Sequence, residues 1–397
     1  MNKTLLINIK QGLTAGKIIH RCSILCKNGK ISAIGGHSAF KDVNADIKVD
    51  LPEAYVMPGM IDPHLYGYMG YSFKDPAIVD NLEKVSQYLV KHGVTTFVPT
   101  LPAMAKEEQF EAIKDIVTAL EKGTTGAQAY GFNMIGPFIS KNKRGANPLE
   151  GVRQVDLDEL DKIIELSRGH LKVMTFAPEL AQSKQLINKL LENDIIPSMG
   201  HSIANADQVL ESINAGARRC THLFNGMAPI HQRKVGLAST VLVDNRIITE
   251  LIFDGFHIDP QMIDLACRAK GHKNIIAVSA ATQGAGLPDG VYNFQGTEVE
   301  IKNQRCHLDE ETIAGSMLTQ EQSWKNILEY TNLQDTDAIR CFTSNPAKDL
   351  KLKDRGYLHP GQNADLVVMS SDHQVLLTVR QGEIAYAQKQ EYVTHND

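Results

Sequence analysis

No stretch of this sequence is apolar for long enough to act as a secretory leader or to cross a bilayer. The opening run from Met1 to Lys17 interleaves Lys, Asn, Gln and Thr with its aliphatic residues. No later run approaches the roughly 20 apolar residues of a spanning helix. Cysteine is sparse, with six residues scattered over 397 positions. Cys22 and Cys26 have a spacing that can serve zinc, but no second pair lies nearby to complete a site. They read as two side chains of one strand region in a reduced compartment. A strong charge of either sign is also missing. The net charge of -5 gives no electrostatic reason to expect nucleic acid or an anionic membrane as partner. Internal repeats and low-complexity linkers are absent too. A soluble, cytoplasmic protein is expected.

The length is too great for one small core and suits a barrel-sized domain with a smaller companion. Hydrophobic residues at 43% and charged residues at 22% are ordinary for a globular chain. Both ends are rich in strand signals. Ser23–Cys26 and Ile31–Ile34 flank an Asn28-Gly29 hairpin turn. Near the other end, Ala364–Met369 reads as a buried strand, and Val375–Val379 with Gly382–Tyr386 as a hairpin. The middle alternates instead. Strands are expected at Thr96–Pro99, Ala129–Asn133, Val173–Phe176, Ile195–Ser198, Ile248–Phe253 and Ile275–Val278. Helices are expected at Val79–His92, Glu107–Lys122, Asp156–Arg168, Ser183–Asn193 and Ala206–Ala215. This repeated strand–helix order is the pattern of a parallel α/β fold. Polar signals sit just after many of the strands, which favours a closed (β/α)8 TIM barrel over an open sheet. The expected division is a barrel over residues 56–350 and a small β-sandwich built from residues 1–55 and 351–397.

Several of those polar signals could carry chemistry. His64 follows the first barrel strand, in Pro58-Gly-Met-Ile-Asp62-Pro-His64-Leu-Tyr66. His201 and His222 each follow a later strand, and neutral imidazoles at neighbouring strand ends can meet on one metal ion. Arg233 has the planar fork that suits a phosphate.

In these contexts the chain resembles the N-acetylglucosamine-6-phosphate deacetylases of the amidohydrolase superfamily. The resemblance is carried by the first-strand signature, Gly136-Pro-Phe138, Lys143-Arg-Gly-Ala-Asn147, Gly200-His201, His222-Leu-Phe-Asn225-Gly226, Asp254-Gly-Phe-His257, Gly286-Leu-Pro-Asp-Gly290 and Ile313-Ala-Gly-Ser316, in order along nearly the whole chain. It implies a divalent metal, zinc, held by His201 and His222 with His64. It implies contacts to an amino-sugar phosphate from Ala146, Asn147, Asn225, Gly226, Arg233, His257, Ile313, Ala314 and Gly315. It also implies a homodimer.

Three positions depart from the family pattern. Tyr66 replaces the second first-strand histidine, and a phenol with a pKa of about 10 is a poor zinc ligand. Ile135 stands where the family has its metal-binding glutamate, and isoleucine has no lone pair to offer. Ala280 stands where the family has the aspartate that moves protons during hydrolysis. No catalytic group is therefore expected to be intact, and metal binding is expected to be weak or absent. Three readings remain: a working deacetylase with a rearranged site, a non-catalytic relative that binds a hexosamine phosphate, and an amidohydrolase with another substrate. Retained ligand loops with lost chemistry favour the second.

Overall fold

A computed structural model describes residues 3–294, 297–303, 305–307 and 313–396. Eight parallel strands follow one another in chain order. They are β1 (Met60–Leu65), β2 (Val94–Leu101), β3 (Phe132–Ile135), β4 (Leu171–Phe176), β5 (Ile196–Met199), β6 (Arg219–Cys220), β7 (Ile248–Leu251) and β8 (Ile275–Ala277). Every residue of β2 is buried, as expected of a parallel strand covered on both faces. The ring closes just beyond the strand ends, where Ala280 donates its N–H to the His64 carbonyl at 2.9 Å and Tyr66 donates to the Ala281 carbonyl at 2.7 Å. The chain thus forms a (β/α)8 barrel.

A helix follows each strand: α1 (Ile78–Leu89), α2 (Lys106–Lys122), α3 (Leu157–Ser167), α4 (Ser183–Glu192), α5 (Ala206–Ala215), α6 (Leu237–Val243), α7 (Pro260–Lys270) and α8 (Gln320–Tyr330). Their starts are written in the sequence. Asp156 accepts the N–H groups of Asp158 and Glu159 to cap α3, and Asn205 with Gln208 forms a capping box on α5. Between β8 and α8 the chain makes an antiparallel ribbon through Gly290–Phe294, Thr297–Lys302, Arg305–His307 and Ile313–Gly315.

Both termini join in one mixed sheet, which makes the small β-sandwich domain. Thr4–Thr14, Lys17–Lys27, Lys30–Gly36 and Ile47–Pro58 come from the N-terminal side, and Leu366–Met369, Val375–Arg380, Glu383–Ala387 and Val393–His395 from the C-terminal side. Ile7, Ile24, Val49, Leu366 and Val379 are buried together in its core. The Asn28-Gly29 turn has positive φ at both residues, 51° and 74°, as a two-residue hairpin of the I′ type requires. Cys22 and Cys26 are buried, unpaired side chains of one strand.

One expected strand is broken. Gln128–Ala129 pairs with β2, and β3 starts only at Phe132. Gly131 lies between them at φ +65°, where a Cβ would come within 2.4 Å of the His170 carbonyl. The glycine turns the chain out of one short strand and into the next.

Candidate active site

The side chains singled out above converge at the C-terminal ends of the barrel strands, where barrel proteins build their sites. His201, His222 and Ala280 all have φ in the left-handed region, at 47°, 28° and 47°. Non-glycine residues adopt this region at a cost of order 1–3 kcal/mol, so the surrounding structure must hold them there. Ring centroids are 4.8 Å apart for His201 and His222, and 5.8 Å for His64 and His222.

Each imidazole has a fixed partner. His64, fully buried, donates from Nδ1 to Glu250 Oε2 at 2.8 Å. Its Nε2 then carries the lone pair and accepts the hydroxyl of Tyr66 at 3.0 Å. Burial works against charge on Glu250, but Arg219 and then His64 hold its carboxyl well below the usual range. Arg219 donates to Glu250 from Nε at 2.9 Å and reaches Asp349 Oδ2 at 2.5 Å. Burial also pushes the Tyr66 phenol up, so it remains a hydroxyl.

His201 donates from Nδ1 to the Lys143 carbonyl at 2.7 Å, and its Nε2 lies 3.0 Å from His222 Nε2. Burial pushes His201 down to about 4 and His222 well below the ordinary imidazole value, so both rings are neutral at pH 7. Gly226 is packed so tightly here that a Cβ would meet His201 Nδ1 at 2.9 Å and the Lys143 carbonyl at 3.2 Å. The loop from Lys143 and the turn at Gly226 therefore close on the same imidazole.

Ile135 is wholly buried with Ile139 and Val152, and Tyr66 packs against them. Ala280 is 6% exposed, and its backbone is bonded to the strand end that carries His64. Asp62 secures this turn by accepting the Ser279 N–H at 3.2 Å, and burial raises its carboxyl to about 6 against the pull of Ser279.

The other expected contact residues lie on segments that follow β3, β6, β7 and β8. Asn147 shapes its own loop, accepting from Ala103 N–H and donating to the Arg144 carbonyl, with Ala146 exposed beside it. Asn225 donates to the His222 and Leu223 carbonyls. His257 is oriented by Asp254, whose carboxylate takes His257 Nδ1 at 2.5 Å and the N–H groups of Phe256 and His257 at 2.9 Å each. Arg233 stands exposed, with no ion-pair partner among the described residues. The backbone of Ile313–Gly315 forms a strand, but the side chains of Ile313 and Ala314 lie outside the described residues. Sequence reasoning missed Arg219, Glu250 and Asp349. The signal was a glutamate inside a barrel strand, β7, where an unpaired buried charge would be prohibitive.

Whether these residues suit a metal ion is decided by their donors. His201 and His222 aim two neutral nitrogens at one point. His64 is turned to Glu250 and Tyr66, and Ile135 offers no donor atom. Among the described residues no group of three or more His, Cys, Asp or Glu side chains is placed to hold a metal. A catalytic zinc takes three protein ligands, and this set does not supply them.

An amidohydrolase family model matches residues 55–385. N-acetylglucosamine-6-phosphate deacetylase of Bacillus subtilis is 34% identical over 394 residues, spanning 98% of this chain and 99% of the relative. N-acetylgalactosamine-6-phosphate deacetylase of Escherichia coli O157:H7 is 32% identical over 83% of this chain and 87% of its own length. Among solved structures, an aspartate-to-alanine mutant of N-acetyl-D-glucosamine-6-phosphate deacetylase from Mycobacterium smegmatis, in complex with N-acetyl-D-glucosamine-6-phosphate, superposes with a TM-score of 0.89. It is 27% identical, with 97% of this chain and 100% of that chain covered.

Proposed function

The chain belongs to the amidohydrolase family and within it to the N-acetylglucosamine-6-phosphate deacetylases, and from that premise we propose that it binds an N-acetylhexosamine 6-phosphate while hydrolysing it poorly or not at all. Amidohydrolases are generally metal-dependent, and hydrolysis of an amide needs both an activated water and a proton for the leaving nitrogen. The observation that carries this reading is the closed apolar cluster around Ile135, beside the Ala280 turn. One position lacks a metal carboxylate and the other lacks a proton carrier. The Mycobacterium smegmatis mutant bears an aspartate-to-alanine change and is in complex with the acetylated sugar phosphate, which supports binding without turnover as a coherent state.

The binding roles are assigned as follows. Arg233 takes the phosphate, Asn225, Gly226, Ala146 and Asn147 line the sugar, and His257, oriented by Asp254, faces its nitrogen substituent. Ile313, Ala314 and Gly315 border the same ligand. A cytoplasmic homodimer is the expected form.

A rearranged active site is the second reading, and one observation favours it. The Tyr66 hydroxyl, the His64 ring and the Glu250 carboxylate stand in the order of a hydroxyl–imidazole–carboxylate triad. Acetate release from N-acetylglucosamine 6-phosphate, measured with a metal analysis of the same sample, separates the two. No release above the buffer rate supports the binding reading. Release that disappears in Tyr66→Phe supports the rearranged site.

A further inference from the structure

Hydrogen bonds run in one direction along Arg219, Glu250, His64 and Tyr66, and that direction fixes what Tyr66 can offer a ligand. The buried Glu250 carboxylate receives Arg219 Nε at 2.9 Å, His64 Nδ1 at 2.8 Å and the His222 N–H at 3.1 Å. A guanidinium keeps its protons and accepts none, so Glu250 stays an anion and can only accept. His64 therefore spends its proton on Nδ1, which leaves Nε2 bare. Tyr66 lies 3.0 Å from Nε2. It has one hydrogen to give, and it gives it there.

The Tyr66 oxygen is left with lone pairs alone, so toward any third group it is an acceptor. Arg219, Glu250 and His64 are fully buried, whereas Tyr66 is partly exposed. It is the member of the chain placed to meet a ligand. The Glu250 charge is felt at this phenol: burial raises it most, and the carboxylate adds to the rise. The neighbouring rings bring no opposing cation, since burial keeps His201 and His222 neutral. Ile135, Ile139 and Val152, packed with Tyr66, bring neither charge nor side-chain donor. An acceptor backed by a buried anion favours a cationic donor over a neutral one.

We infer that Tyr66 is a specificity-determining residue that accepts a hydrogen bond from the ligand's nitrogen, so that the site prefers the free ammonium of a hexosamine 6-phosphate to its acetamido form. The inference rests on the sugar-phosphate reading above and adds which nitrogen substituent is held best. Glu250 and Arg219 are positioning residues in it, acting on Tyr66 through His64.

Glucosamine 6-phosphate, N-acetylglucosamine 6-phosphate and glucose 6-phosphate are the probes, titrated by calorimetry at a pH where the amine is protonated. The proteins are the unmodified chain, Tyr66→Phe, Glu250→Gln and Arg233→Ala. The amine should bind about tenfold or more tighter than glucose 6-phosphate, as a hydrogen bond to a charged group does, and tighter than the acetamido sugar. That preference should vanish in Tyr66→Phe. In Glu250→Gln the new amide can donate to His64, so the ring proton moves to Nε2 and Tyr66 turns its hydrogen outward. The preference should vanish there too. Nitrogen NMR of the His64 ring reads the same switch without ligand, with the proton on Nδ1 in the unmodified chain and on Nε2 in Glu250→Gln. If Glu250→Gln does not fold, Tyr66→Phe and the spectrum of the unmodified chain decide. The inference is overturned if the amine is not preferred, if Tyr66→Phe keeps the preference, or if Nε2 of His64 is protonated in the unmodified chain. Binding of all three sugars that weakens in Arg233→Ala, without preference for the amine, overturns this inference alone. Failure of all three to bind overturns the sugar-phosphate reading with it.

Discussion

Nε2 of His222 lies 3.0 Å from Nε2 of His201, and only one placement of protons lets the two rings share that contact. His201 spends its Nδ1 proton on the Lys143 carbonyl, which leaves its Nε2 bare. His222 must therefore donate from Nε2. A metal ion between the rings would need both Nε2 atoms bare, and the proton of His222 would move to Nδ1. That atom is buried and has no hydrogen-bond partner among the described residues, so the moved proton would gain no partner while the bond between the two rings is lost. Less than stoichiometric zinc is expected by elemental analysis after dialysis. One equivalent of retained zinc would show that the imidazole pair suffices by itself.

Glu250 joins four elements through Arg219, His64 and the backbone N–H of His222, with Asp349 beyond. Removing one member of a buried ion pair leaves the others uncompensated, at a cost of about 3–5 kcal/mol. Glu250→Ala should therefore lower the unfolding free energy by that amount in urea titrations. A loss under about 1 kcal/mol would mean that the buried cluster is not what holds the barrel mouth together.

Near the surface, Asp244 gives a pH signature. Hydrogen bonds from the Arg246 side chain, opposed by partial burial, hold its carboxyl at about 2, against an unfolded value of about 3.9. A depressed carboxyl contributes stability that is fully present above the unfolded value and is lost as pH falls through the folded one. Arg246→Ala should thus lower the melting temperature near pH 6. The gap between the two proteins should shrink between about pH 4 and pH 2. A gap that stays constant across that window would assign the effect of the mutation to packing.

Arg233 is exposed and free of ion pairs among the described residues, so Arg233→Ala should change the melting temperature of the free protein little, as surface substitutions stay within about 0.5 kcal/mol. With N-acetylglucosamine 6-phosphate at millimolar concentration the unmodified protein should melt higher, by mass action. The mutant should lose most of that shift, because the phosphate loses its forked donor. An equal shift in both proteins would place the phosphate elsewhere.

What the sequence could reveal followed from local pattern. The capped helix starts at Asp156 and Asn205, the Asn28-Gly29 turn and the apolar β2 run are all local signals, and the barrel follows from their alternation. The histidines at strand ends were equally legible. The partners of those histidines were not. Glu250 bonds His64 across 186 positions and Arg219 reaches Asp349 across 130. Contacts at that separation are set by barrel closure, which no local spacing encodes. The ribbon from Gly290 to Gly315 escaped for another reason, since its partly exposed strands lack the apolar runs that marked the barrel strands.

Restoring hydrolysis should require two changes made together. Ile135→Glu places a carboxylate in the cluster with Ile139, Val152 and Tyr66, where the proposed function puts the missing metal ligand. By itself it would destabilise the apolar cluster, and it leaves the amide nitrogen with no proton donor at position 280. Ala280→Asp alone supplies a group that can carry the proton, and positioned acids or bases usually contribute about 10²–10⁴-fold. Yet it leaves the water unactivated. Groups that act as one unit give strongly non-additive effects, so each single variant should recover little and the pair far more than their product. The measurement is acetate release from N-acetylglucosamine 6-phosphate with added Zn²⁺, for the unmodified chain, both single variants and the double. If the unmodified chain already turns over at about 1 s⁻¹ or faster, within the usual enzyme range, Ile135 and Ala280 are not the deficits proposed. The Tyr66–His64–Glu250 chain would then be the first place to look for the proton carrier.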